Sequence, residues 1–400
     1  MSITTTIHGG AVQLSGNPVW IQCTGGAAPA GASDYKILLR VISQDSKLYG
    51  APFEDACEPD ESGGAWFNIS GYVHQPIDLE FDYPLTSPHV AYPNRPFNIQ
   101  VQAGESYFDQ DGILQESWGT ASAVFQILRG GMQPRQISMM EAEASNFYDT
   151  YIADGKFLTP RPWGDFVHPA QPVKLWFMTI ADKAVTWYVK GYYNDGTFET
   201  FSESFSMAAD SLYEFNCNPV HRGLELEPEG KKMTHFDVWI ESGGQVISDA
   251  RRFTYNWSYC ERPVFFLVAN SYGGIDDIYF SGNLKEGIRT EGTTVYKPQQ
   301  RGANVFTATR QVPDKQGVNT WEVNSGFKTP SEMLFMRDLV VGKNVWMLYP
   351  NNGVSYYFVI PVIITSSRIE LIDRGEDLYS MTIEVEEAHE SPFTFDNRIW

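Results

Sequence analysis

The stretch Phe97-Asn98-Ile99-Gln100-Val101-Gln102-Ala103-Gly104 has a counterpart later in the chain, Phe236-Asp237-Val238-Trp239-Ile240-Glu241-Ser242-Gly243. In both, apolar and polar side chains alternate and then meet a glycine, the pattern of a strand with one wet face running into a turn. Upstream of each lies another matched pair, Phe67-Asn68-Ile69-Ser70 and Phe215-Asn216-Cys217-Asn218, in the same order. The chain therefore reads as two tandem copies of one β-rich module. Each copy must cover its own apolar strand face, which restricts the fold to packed sheet layers.

At 400 residues the chain exceeds one ordinary core. Aromatic residues make up 14%, and such rings favour pleated, half-buried surfaces over helices. With 34 Gly and 23 Pro to punctuate turns, the expected class is mainly β: tandem β-sandwich modules, then a β-rich C-terminal domain with one short helix. The expected divisions are residues 1–131, 132–262 and 263–400.

In the first segment Tyr35 to Ile42, Ala65 to Val73, Phe97 to Gln102 and Ala121 to Leu128 read as strands, and Gly130-Gly131 with Pro134 as a linker. Glu141 to Phe147 is helix-compatible. The second segment carries a hairpin, Val185 to Tyr193 and Thr197 to Phe205, around Asn194-Asp195-Gly196, residues that tolerate the positive φ of a tight turn. Phe236 to Ile240 and Arg252 to Trp257 complete it. The third segment opens with Val264 to Val268 and contains the strongest helix signal, near residues 330–341. There Thr329 is the N-cap, Pro330 takes the first position, Glu332 completes a capping box and Gly342 stops the run. Tyr356 to Ile364 and Tyr379 to Glu386 read as later strands.

The 29 basic against 49 acidic residues give a net charge of −20, a field that repels polyanions, so no nucleic-acid partner is expected. The first residues lack a positive n-region and an apolar core, so no signal peptide is expected. The longest apolar run, Val359 to Ile364, is strand-sized and broken by Pro361, so no membrane span is expected either. Cys23, Cys57, Cys217 and Cys260 have no C-x-x-C spacing and read as free thiols packed as small apolar groups.

Catalytic and cofactor motifs are not found. No G-x-S-x-G elbow, phosphate loop or dinucleotide fingerprint occurs. Asp109-Gln110-Asp111-Gly112 with Glu116 resembles the start of a calcium loop but lacks its later ligands, and reads as an acidic turn. Asp276-Asp277 reads as a turn that starts a strand. The expectation is a non-enzymatic chain with no cofactor and no metal.

Aromatics are the remaining candidates. Trp163, Trp176, Trp187, Tyr188, Tyr192 and Tyr193 concentrate in the second segment, where they serve either as core and cross-strand pairs or as platforms for sugar rings. Trp163 and Trp187 are the candidate glycan platform. Phe393, Phe395 and Trp400 crowd the last residues and pack either on their own domain or into a neighbour, which makes them the candidate partner interface.

The run Phe266-Leu267-Val268-Ala269-Asn270-Ser271-Tyr272-Gly273-Gly274-Ile275-Asp276-Asp277-Ile278-Tyr279-Phe280-Ser281-Gly282 is similar to a segment of uncharacterised proteins encoded by phages and prophages of Bacteroidetes. Asn324 to Phe327, Met336 to Leu339 and Gly16 to Trp20 fit the same resemblance, which covers about half the chain and carries no catalytic motif. It implies a virion component of the tail or baseplate region, assembled in the host cytoplasm as a homo-oligomeric ring or adaptor beside other tail proteins. The alternative is a carbohydrate-binding protein that recognises a receptor glycan through exposed aromatics.

Overall fold

The computed structural model describes residues 3–43, 52–74, 87–93, 95–258, 260, 262–296, 310–311, 316–342, 344–350, 357–366 and 379–388. The chain is mainly β, with antiparallel sheets and few helices. It forms two compact units, residues 1–256 with 269–276, and residues 257–268 with 277–400.

The first unit holds both copies of the repeat. Copy one contains β1 (Thr4–Ile7), β2 (Val12–Leu14), β3 (Trp20–Thr24), β4 (Ser33–Ser43), β5 (Phe53–Cys57), β6 (Ala65–Asn68), β7 (His89–Tyr92), β8 (Phe97–Phe108), β9 (Leu114–Ala121) and β10 (Phe125–Leu128). A small sheet ordered β1-β3-β6 faces a large sheet ordered β2-β10-β8-β4-β5, with β9 paired to β8. The alternation puts Ile21, Cys23 and Phe67 of the small sheet against Leu39, Val41 and Val101 of the large one in one buried cluster, which is the core of a β-sandwich. The expected strand Ala65 to Val73 is half right: it ends at Asn68, whose carboxamide oxygen accepts the Ser70 N–H at 3.1 Å and starts a short helix, α1 (Ser70–His74).

Copy two contains β11 (Asp165–Val167), β12 (Lys174–Thr179), β13 (Lys183–Tyr193), β14 (Phe198–Met207), β15 (Ser211–Asn216), β16 (Met233–Ser242), β17 (Gln245–Val246) and β18 (Arg251–Tyr255). Its large sheet runs β11-β18-β16-β13-β14 with β17 paired to β16, strand for strand the order of copy one. In both, the outermost pair is parallel, β2 with β10 and β11 with β18. The registers agree too. Phe97 faces Ile127 as Phe236 faces Phe253, and Val101 faces Val41 as Ile240 faces Trp187. In the small sheets Ile69 donates its N–H to the Val19 carbonyl, and Cys217 donates to Val173 in the same way. The repeat seen in sequence is a repeat of structure.

The copies are joined by an exchanged strand. β7, from copy one, pairs with β15 and completes the small sheet of copy two, ordered β12-β15-β7. Tyr92 Oη donates to Glu214 Oε2 at 3.0 Å, and Glu214 also receives the buried ammonium of Lys174. His89 stacks on Phe205 with ring centroids 3.8 Å apart. Gly130-Gly131 and Pro134, expected to be a linker, instead lead into α2 (Pro134–Ala142), with the proline in the first turn where its missing N–H costs nothing. That helix stands where none was expected, and ends within the stretch Glu141 to Phe147 that was.

Ala269–Asp276 belongs to the first unit. Trp176 Nε1 donates to the Ile275 carbonyl at 2.7 Å, and Thr159 Oγ1 donates to Asp276 Oδ1 at 2.8 Å. Gly273 has φ +96°, and a Cβ on Gly274 would meet the Leu158 carbonyl at 2.8 Å, so both glycines are required here. Residues Ala269–Asp276 are thus held within the first unit, with Asp276 accepting from Thr159.

A further sheet is formed by β19 (Val264–Ala269), β20 (Ile275–Phe280), β21 (Leu284–Glu291), β24 (Gln316–Asn324), β25 (Val345–Pro350), β26 (Tyr357–Ile364) and β27 (Thr382–Glu387). Its order is β20-β19-β25-β26-β27-β24-β21, and β22 (Val295–Tyr296) pairs with β23 (Arg310–Gln311). The capping box at Thr329 is present, with Thr329 N donating to Glu332 Oε2 at 2.8 Å. The single helix expected near 330–341 is two short ones, α3 (Pro330–Phe335) and α4 (Arg337–Val341), divided at Met336. The division lets Met333, Phe335, Met336 and Leu339 all reach the sheet core.

Candidate functional site

Of the aromatic residues singled out in the sequence, Tyr188 and Tyr192 stand on the outer face of copy two's large sheet, with Trp163 beside them. Strand alternation decides which. Val185, Trp187 and Val189 point inward, and Trp187 is fully buried against Phe215 of the small sheet, centroids 5.2 Å apart. Trp187 is therefore not a glycan platform: it is core, in phase with its valine neighbours. Trp176 and Tyr193 are buried as well. Trp163 is 65% exposed.

The out-of-phase residues build the face in cross-strand rows. One row runs Phe166, Thr254, His235, Tyr192, Phe198, across β11, β18, β16, β13 and β14. At about 4.8 Å per strand it is roughly 19 Å long. Phe198 is 57% exposed, and Tyr192 stacks on His235 with centroids 4.6 Å apart and planes 12° apart. The next row is ionic. Arg252 grips Asp237 through both forks, Nε to Oδ1 at 2.7 Å and a terminal nitrogen to Oδ2 at 2.8 Å. Beside it Lys190 holds its ammonium 3.8 Å from the Phe198 ring centre. A third row stacks Tyr188 on Trp239, 4.9 Å apart with planes 10° apart, and Trp239 Nε1 donates to Glu241 at 2.8 Å.

The Arg252 guanidinium lies 5.0 Å from the Trp163 ring centre and 5.8 Å from that of Tyr192, so it cements the exposed indole to the row of rings. The hydrogen bonds that Arg252 donates to the Asp237 carboxylate raise its pKa above the usual guanidinium value. Burial, then the Arg252 charge, lowers that of His235, which keeps its imidazole neutral near pH 7. Toward the β16–β17 turn the face dips into a shallow depression of about 500 Å³, lined by Thr186, Tyr188, Ser204, Ser206 and Glu241. Self-stacked rings interleaved with guanidinium and ammonium groups suit contact with another protein surface: Trp, Tyr and Arg carry most interface energy, and ordered rings lose little entropy on binding.

Other candidates fall elsewhere. Asp109 spends its carboxylate on its own turn, Oδ1 accepting from the N–H of Asp111 and Ile113 and Oδ2 from Gln115. Among the described residues no group of three or more His, Cys, Asp and Glu side chains could hold a metal, and no helix is long and apolar enough to cross a membrane. Phe393, Phe395 and Trp400 lie outside the described residues. Sequence reading missed Trp239, His235, Phe198 and Arg252. Their signal was the phase of Val238 and Ile240, which sends Trp239 outward.

No family model matches the chain, and no curated protein matches it. Among solved structures, a marsupial T cell receptor is similar at 10% identity and a TM-score of 0.17, over 80% of this chain and 96% of that one. A calcium-binding mutant of Bacteroides uniformis beta-glucuronidase 2 is similar at 12% identity and a TM-score of 0.13, over 68% of this chain and 27% of that one. Likenesses this slight say nothing about this chain's activity.

Proposed function

We propose that the chain is a non-enzymatic structural component of a phage tail, baseplate or related particle, assembling as an oligomeric ring or adaptor. The particle comes from the sequence resemblance. The role as a scaffold is carried by one observation, the aromatic and ionic face of copy two, which displays Trp163, Arg252, Tyr192 and Phe198 in one continuous belt. A neighbouring subunit burying that belt supplies the desolvation that makes its rings count. The strand shared through β7 holds both sandwiches in one block behind it.

Light scattering and negative-stain imaging of the chain, alone and co-expressed with proteins of its gene cluster, test this. A closed assembly of definite subunit number is expected, and Asp237→Asn, Arg252→Gln and Trp163→Ala together should dissolve it while thermal melting is preserved. Deleting residues 391–400, with Phe393, Phe395 and Trp400, should also weaken it. A chain that stays monomeric with every neighbour overturns the proposal.

A second reading, carbohydrate binding, is favoured by Trp20 and Trp66 on copy one, which are 42% and 45% exposed.

A further inference from the structure

Those two tryptophans stand on the outer face of the small sheet β1-β3-β6, opposite in phase to the buried Ile21, Cys23, Ala65 and Phe67. Their rings meet edge to face, centroids 6.4 Å apart and planes at 80°. The His8 ring lies 4.8 Å from Trp66, and its Nε2 is 3.1 Å from Gln22 Oε1. Gln22 sits between Thr6 on β1 and Trp66 on β6, so its carboxamide borders the indole. Alongside, the Thr4 and Thr24 hydroxyls are 2.9 Å apart. Asn68, across from Trp20, is fixed by accepting the N–H of Val19 and of Ser70.

The outward positions of these three strands carry no Asp, Glu, Lys or Arg, on a chain with net charge −20. An acidic ligand would find no cation here and an unfavourable field around it, and a basic one would find no carboxylate. A protein partner needs roughly 800 Å² on each side, whereas three strands span only about 10 Å between their outer axes. What fits is a molecule with apolar C–H faces and a rim of hydroxyls. Polarised axial C–H groups seat on the negative faces of the indoles, and hydroxyls reach the amide, imidazole and threonine groups beside them. We propose that Trp20 and Trp66, with His8 and Gln22, form a binding site for a neutral polysaccharide, a chain of uncharged pyranose rings. This rests on the carbohydrate reading and is independent of the particle assignment.

The test is affinity electrophoresis of the full chain through native gels containing laminarin, mannan or dextran, with the anionic polymer alginate as the charged counterpart. At least one neutral polymer is expected to retard the protein, and alginate is not. Trp20→Ala and Trp66→Ala should each weaken retardation about tenfold, the loss of one stacked ring. Trp66→Phe should keep part of it, and Trp163→Ala all of it. Unchanged melting temperatures in the same variants separate lost binding from lost fold. Retardation by a neutral polymer that only Trp163→Ala abolishes would overturn this site while leaving the carbohydrate reading intact. Retardation by alginate alone overturns the neutral class, and no retardation by any polymer overturns both.

Discussion

Where β8 and β10 of copy one carry Asn98 and Gln126, β16 and β18 of copy two carry Asp237 and Arg252 at the matching register. The first pair shares one neutral hydrogen bond of 3.3 Å; the second is a bidentate ion pair. Two residues along, Gln100 of copy one donates to the Ser122 carbonyl, while its counterpart Trp239 stacks on Tyr188. One backbone thus supports two different outer faces. The inward positions stay apolar in both because they must fill a core, and the outward positions, free of that demand, are where the copies have diverged.

The largest expected effect lies inside. Trp187 occupies the position that Val41 holds in copy one, and both are fully buried. Trp187→Ala should cost about 3–5 kcal/mol in urea denaturation and Val41→Ala about 2 kcal/mol, from lost burial plus the cavity. A cost below about 1 kcal/mol for Trp187→Ala would break the equivalence.

Next is a pH response that originates in copy two. His168 Nδ1 accepts the Ala170 N–H at 3.1 Å, which requires a neutral ring, and burial lowers its pKa from 6.5 to about 4. The unfolded chain therefore binds the proton first on acidification. The stability is complete above pH 6.5 and falls as pH drops toward 4, by up to about 3 kcal/mol. His168→Asn keeps an acceptor and removes the titration, so its stability should be flatter between pH 6.5 and 4.

The exchanged strand comes third. Tyr92→Phe removes a donor from the buried Glu214 and should cost about 1.5–3 kcal/mol, measured by denaturation. The loss is expected in copy two, although the residue belongs to copy one.

The smallest effect should come from recreating the neutral pair. Asp237→Asn with Arg252→Gln gives copy two the chemistry of copy one. Because the ion pair is partly solvated, the change is expected to stay within about 1 kcal/mol and to remove salt dependence.

Alternation made much of this legible. The hairpin around Asn194-Asp195-Gly196, the repeat itself and the Thr329 capping box all rest on local rules, and all are present. For Trp187 the sequence leaves a core and a glycan reading side by side; its phase with Val185 and Val189 decides for the core. Trp20 and Trp66 were equally readable from Val19, Ile21 and Phe67. The destination of β7 was not legible, because periodicity marks which face of a strand is wet and carries nothing about which distant edge it will join.

That destination has a consequence during synthesis. Tyr92 and its acceptor Glu214 are 122 residues apart. At ribosomal rates of 5–20 residues per second, β7 waits roughly 6–24 s after emerging before its partner strand exists. Through that interval the nascent chain carries an unclaimed strand edge, the kind of segment that pairs with the wrong neighbour on a crowded polysome. Expression yield should therefore respond to chaperone supply and to codons between β7 and β15 more than to the finished fold's stability.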